Sequence, residues 1–166
     1  TADNNTAVGY AALGDNTTGT SNIAVGANAL ENNTTGNNTT VVGKAAMYTA
    51  TDGDDCTAMG YAALYSLTTA GYNTALGFQA GYHVTTGGGN VFLGYKAGQD
   101  QITTGDNNLY IARNNTATGN AATWIYGNSS GQCFQGGNSS SWSTTSDRRL
   151  KKNITDSPKG LAEINQ

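Results

Sequence analysis

Charge, histidine, cysteine and proline are all scarce in this sequence, and each scarcity closes off a class of function. Only 11% of the 166 residues are charged and the formal net charge is −3. With no basic stripe, the electrostatic footprint of a nucleic-acid binder is missing, and no nucleic-acid partner is expected. The single histidine, His83, leaves zinc sites and Ser/His/Asp triads without the residues they need, so no metal, no cofactor and no turnover enzyme is expected. Cys56 and Cys133 are too few for a disulfide framework and read as free thiols. No run approaches the roughly 18 apolar residues of a membrane-spanning helix. Asn, Thr, Ala and 23 glycines fill the space, a mixture suited to tight, repeated turns.

Those residues are arranged periodically. The segments TAVGYAAL, IAVGANAL, TVVGKAAM, TAMGYAAL, TALGFQAG and VFLGYKAG centre on Gly9, Gly26, Gly43, Gly60, Gly77 and Gly94, each 17 residues from the last. A further step of 17 reaches Ile111, where the pattern survives without its glycine, so a seventh, altered unit is expected to close the array. Before each glycine stand two apolar columns, Ala7, Ala24, Val41, Ala58, Ala75, Phe92 and Leu109, then Val8, Val25, Val42, Met59, Leu76, Leu93 and Tyr110. Neighbours on a strand point to opposite faces. Both faces therefore call for cover, and a thin solenoid supplies only one cover from its own interior.

Three residues after the glycine, Ala12, Ala29, Ala46, Ala63, Ala80 and Ala97 form an unbroken small column that permits close backbone approach. The glycine is explained either by a positive φ or by lack of room for a Cβ. Asn5, Asn22, Asn73, Asn90 and Asn107 form a candidate ladder of stacked amides, interrupted at Thr39 and Cys56. A 17-residue unit without 3.6-residue periodicity fits one turn of a parallel β-solenoid. Seven turns stacked at about 4.8 Å span roughly 30 Å. The acidic turn Asp52, Asp54 and Asp55 reads as a solvated loop; calcium there would lack the remaining EF-hand ligands.

The glycine-centred NxAVGYxAL repeat resembles the head repeats of trimeric autotransporter adhesins, and similar repeats occur in phage tail fibres. That resemblance covers residues 5 to about 113. It implies a β-roll of three chains packed side by side. From residue 114 to 145 the period is lost, and Trp124, Tyr126, Cys133, Phe134 and Trp142 are expected in a small β cap or neck.

Five of the eight Lys and Arg residues lie from Arg148 onward. The segment SDRRLKKNI closely resembles the opening of the self-cleaving intramolecular chaperone domain of phage tail fibres and tailspikes. By that resemblance Ser146 and Lys151 form a nucleophile–base dyad that cuts once, between Thr145 and Ser146. Asp147 is then an orienting neighbour, and Arg148, Arg149 and Lys152 meet partner chains. A serine hydroxyl needs a desolvated lysine of lowered pKa to take its proton. The stretch KGLAEINQ reads as the start of an amphipathic helix.

Taken together, the expected fold is an all-β homotrimeric parallel β-solenoid of 17-residue coils over residues 1–113. A β cap at 114–145 and a short, partly helical start of the chaperone domain at 146–166 follow. The chain opens inside a repeat, so a longer parent is expected. The expected role is a structural and host-attachment component of a virion's tail fibre. Its partners would be two further copies, other tail proteins and a host receptor or glycan. The alternative is the head of a bacterial trimeric surface adhesin.

Overall fold

The computed structural model describes residues 2–100, 103–113 and 123–135. Among them there is no helix, and nine short strands lie in one sheet in sequence order. Six strands of three residues are β1 (Thr6–Val8), β2 (Ile23–Val25), β3 (Thr40–Val42), β4 (Thr57–Met59), β5 (Thr74–Leu76) and β6 (Val91–Leu93). β7 (Leu109–Ala112) is parallel to them, whereas β8 (Thr123–Gly127) and β9 (Cys133–Gln135) run antiparallel.

The chain leaves each strand through its repeat glycine, at φ +136 in Gly9 and +142 in Gly77. It then turns through left-handed residues two and four positions on, such as Ala62 and Leu64 at φ 52 and 51. A left-handed non-glycine residue costs roughly 1–2 kcal/mol. Here the strain is offset by burial, since Leu30, Met47 and Leu64 are fully enclosed, and by a rung of backbone bonds such as Leu64 N–H to the Ala80 carbonyl at 2.9 Å.

Register follows the repeat spacing. Ala7 pairs with Ala24, Ala24 with Val41 and Ala75 with Phe92. The expected alanine column packs inside, with Ala29, Ala46, Ala63, Ala80 and Ala97 all at 0% exposure.

The last coil differs from expectation by one residue. Val91 pairs with Leu109, Phe92 with Tyr110 and Leu93 with Ile111, a step of 18. Ala112 rather than Ile111 therefore stands over Gly94, and Tyr110 joins the inner column where Leu109 was expected. The extra residue lies after Ala97, because the Thr85 hydroxyl bonds the carbonyl of Thr103, 18 residues on, where Thr68 reaches Thr85 across 17.

β8 and β9 add an antiparallel hairpin beyond the last coil, pairing Tyr110 with Tyr126 and Tyr126 with Phe134. Of the segment 114–145 where a cap was expected, residues 114–122 and 136–145 lie outside the described residues, as does the expected helical start at 146–166.

Candidate functional site

At the repeat glycines the backbones of successive coils leave no room for a side chain. A Cβ on Gly43, Gly60 or Gly77 would stand 2.3 Å from the carbonyl oxygen of the next coil's glycine, and one on Gly94 would stand 1.9 Å from the Ala112 oxygen. Gly9 and Gly26 are nearly as close at 2.5 and 2.7 Å. Positive φ and lack of space therefore operate together, and the choice left open by the sequence dissolves.

The asparagine ladder exists, though its amides chiefly clip backbone, with one amide-to-amide bond in the last coil, from Asn108 Nδ2 to Asn90 Oδ1 at 3.1 Å. Asn22 Nδ2 donates to the Gly36 carbonyl at 2.7 Å, while its Oδ1 accepts the Thr39 N–H at 3.0 Å. Asn73 and Asn90 repeat the pattern. Thr39 and Cys56 continue it instead of breaking it. Thr39 Oγ1 donates to Gly53 at 2.7 Å and accepts from Cys56 N–H, and Cys56 Sγ reaches the Ala70 carbonyl at 3.7 Å. Burial pushes the Cys56 thiol up to about 11. In the last coil Asn108, not Asn107, takes the rung, as the one-residue shift requires.

The threonine columns are equally structural. The hydroxyls of Thr17, Thr34, Thr68 and Thr85 each donate to a carbonyl of the next coil at 2.8–3.0 Å. In the acidic turn, Asp52 Oδ1 accepts from Thr35 Oγ1, and Asp54 Oδ1 accepts from the Asn37 N–H and Nδ2. Those carboxylates are turned along the sheet, toward the neighbouring coil.

The surface that stands out is the other flank of the strands. Val8, Ile23, Met59 and Leu76 are exposed, with Val25, Val42 and Leu93 half-buried beside them. Single-chain folding thus buries one strand face and leaves open the other, where Thr6, Thr40, Thr57 and Thr74 stand among the apolar residues; this is the face for which cover by a neighbouring chain was expected.

Beside it runs a ladder of rings that the reading of the sequence missed. Tyr61 stacks on Phe78 at 5.1 Å between centroids, and Phe78 on Tyr95 at 5.3 Å, all three exposed. A second ladder, Tyr48, Tyr65 and Tyr82, stacks at 5.4 and 5.0 Å. Both were visible as aromatic residues recurring every 17 positions, one and five places after the glycine.

Ser146, Lys151, the Thr145–Ser146 bond, Asp147, Arg148, Arg149, Lys152 and Trp142 all lie outside the described residues, and of Trp124 only its place on β8 is described. Cys133 is exposed on β9. No protein-family model, no curated protein and no solved structure matches the chain.

Proposed function

We propose that the chain is a structural and host-attachment segment of a virion's tail fibre, built from three copies packed through their outer strand flanks. One observation carries this reading: the open apolar flank running the length of the solenoid, with Val8 57%, Ile23 42% and Met59 42% exposed. A contiguous apolar surface of this kind marks an interface on a soluble protein. Three identical rods related by a closed rotation cover all three flanks and leave no edge for further addition. The strands are rigidly cross-bonded, which suits a load-bearing shaft. The polar turns remain on the outside for contact with a receptor.

In a longer parent chain, the segment from Ser146 performs one self-cleavage. The Ser146 hydroxyl oxygen adds to the Thr145 carbonyl as Lys151 takes its proton. Lys151 passes that proton to the Ser146 nitrogen as the peptide C–N bond breaks, giving an ester and the free Ser146 amine, and water then hydrolyses the ester to the Thr145 carboxylate and the Ser146 hydroxyl. The same segment separates this reading from a bacterial adhesin, whose head would lead into a stalk and anchor rather than SDRRLKKNI.

Light scattering tests the assembly. Three times the 17.0 kDa of one chain is expected, and Val42→Asp with Leu76→Asp should yield monomers. A stable wild-type monomer overturns the fibre reading. Mass spectrometry of the parent should find a product ending at Thr145, lost in Ser146→Ala.

A further inference from the structure

One of the ladders along the solenoid is interrupted, and the interruption has the chemistry of a binding site. Six residues before Gly43 and Gly60, and at the matching place in the last coil, a side-chain oxygen of one coil accepts the backbone N–H of the coil before it. Thr20 N–H bonds Asn37 Oδ1 at 2.8 Å, Asn37 N–H bonds Asp54 Oδ1 at 2.6 Å, and Gly88 N–H bonds Asp106 Oδ1 at 2.7 Å. Between these, the positions are Gly71 and Gly88, which carry no side chain. The N–H groups of Asp54 and Gly71 consequently have no acceptor among the described residues.

The backbone around the gap keeps its register, with Tyr72 N–H bonded to the Asp54 carbonyl at 3.0 Å and Gly89 N–H to the Gly71 carbonyl at 3.1 Å. The gap is therefore a local omission in an otherwise regular wall. Two parallel N–H donors stand roughly one rung spacing, about 4.8 Å, apart.

What surrounds the gap restricts what fills it. Tyr72, in the adjacent column, is 71% exposed and offers a ring. Asp55 lies one coil before Tyr72 in the same column and is exposed, and exposed Asp106 bounds the other end. Asp54 and Gly71 are part-exposed, so water bonds their N–H pair until the oxygen acceptor of a ligand takes its place. The exposed carboxylates of Asp55 and Asp106 can accept from hydroxyl donors and disfavour an anion such as phosphate, sulfate or an acidic sugar. An exposed tyrosine adds a surface for an apolar C–H face. A ligand that accepts, donates, is uncharged and has one apolar face is a neutral sugar residue.

We infer that the step at Gly71 and Gly88, walled by Tyr72, Asp55 and Asp106, binds a neutral sugar residue of a surface glycan. This deepens the attachment reading, and the two fail separately, because assembly is read by light scattering and this site by titration of individual amides.

The test is an amide NMR titration of the full chain with the methyl glycosides of glucose, galactose and N-acetylglucosamine, and with N-acetylneuraminic acid as the acidic comparison. At least one neutral glycoside should shift the Asp54 and Gly71 amides at millimolar concentration. Tyr72→Ala should weaken that binding about fivefold or more by removing the ring. Gly88→Asn places an acceptor on the Gly71 N–H, as Asn37 does for Thr20; its Cβ would meet no atom nearer than the Gly71 oxygen at 3.2 Å. It should abolish binding without lowering the melting temperature. The inference is overturned if no neutral glycoside moves those two amides at tens of millimolar. Preference for the acidic sugar overturns it too, as does undiminished binding in Tyr72→Ala.

Discussion

In the first coils the solenoid interior sets a small strand residue beside a large turn residue: Ala24 with Leu30, Val41 with Met47, Ala58 with Leu64, all fully buried. In the last coils the turn positions become Gly81 and Gly98, and the strand supplies Phe92. A Cβ on Gly98 would stand 2.2 Å from Phe92 Cδ1, and one on Gly81 2.8 Å from Leu64 Cδ2 and 2.9 Å from Phe92 Cδ2. The Phe92 ring, together with Leu64, thus occupies the volume that side chains at Gly81 and Gly98 would take. The exchange also moves the strained position from leucine, at φ 51 in Leu64, to glycine, at φ 63 in Gly81, where that conformation is cheap. From Phe92 the aromatic core continues to Tyr110, 6.0 Å away, and to Tyr126 at 4.8 Å, closing the end against the hairpin. What is held constant along the solenoid is filled volume per coil, and the element supplying it is free to change.

Both regions share the glycine rung, so the largest expected effect is common to them. Gly26→Ala and Gly77→Ala each force a Cβ into backbone at a φ that alanine avoids, and each should cost about 4–5 kcal/mol in denaturant melts. A cost confined to one of the two would mean that the ends are not built on the same rung.

A smaller effect should separate the regions. Phe92→Ala is expected to cost about 3–4 kcal/mol through the cavity it leaves. Gly98→Leu alone should also destabilise, by collision with the ring. Combining Phe92→Ala with Gly81→Leu and Gly98→Leu rebuilds the packing of the first coils and should recover most of the loss. If the triple variant is no more stable than Phe92→Ala, volume exchange is not the rule that links the two ends.

The common rung was legible in the sequence, because a glycine every 17 residues states its own spacing and because strands with apolar residues on neighbouring positions imply two faces needing cover. The differing ends were less so. The inserted residue after Ala97 could be read from the threonine pairs, since Thr85 and Thr86 recur at Thr103 and Thr104, 18 residues on, yet the apolar columns tolerate Leu109, Tyr110 and Ile111 in either alignment. The exchange of turn side chains for Phe92 was hidden because the partners lie in different columns, brought together only by the turn. Thr39 and Cys56 looked like interruptions because residue type suggested amide stacking, whereas the rung needs only a side chain that donates to one backbone group and accepts from another. The gap at Gly71 and Gly88 was likewise invisible until the N–H groups above and below it had been paired.

Cys56 offers the finest distinction, between a rung at the middle of the stack and its equivalents at either end. Its sulfur reaches the Ala70 carbonyl at 3.7 Å, where Asn73 holds the Gly87 carbonyl at 2.9 Å. Cys56→Asn exchanges a weak donor for an amide in a site built for one, and should stabilise by about 1 kcal/mol. The thiol ordinarily ionises near 9.0, and burial raises it to about 11 in the folded chain. Folding therefore binds the proton, and the stability that depends on it is complete below pH 9 and is lost as pH rises toward 11. The gain from Cys56→Asn should accordingly widen across that interval in urea melts, and iodoacetamide at pH 8 should label Cys133 but not Cys56 in the native wild type. A gain that stays flat between pH 9 and 11, or rapid native labelling of both thiols, would mean that the central rung is open to water and that the ladder is not continuous through it.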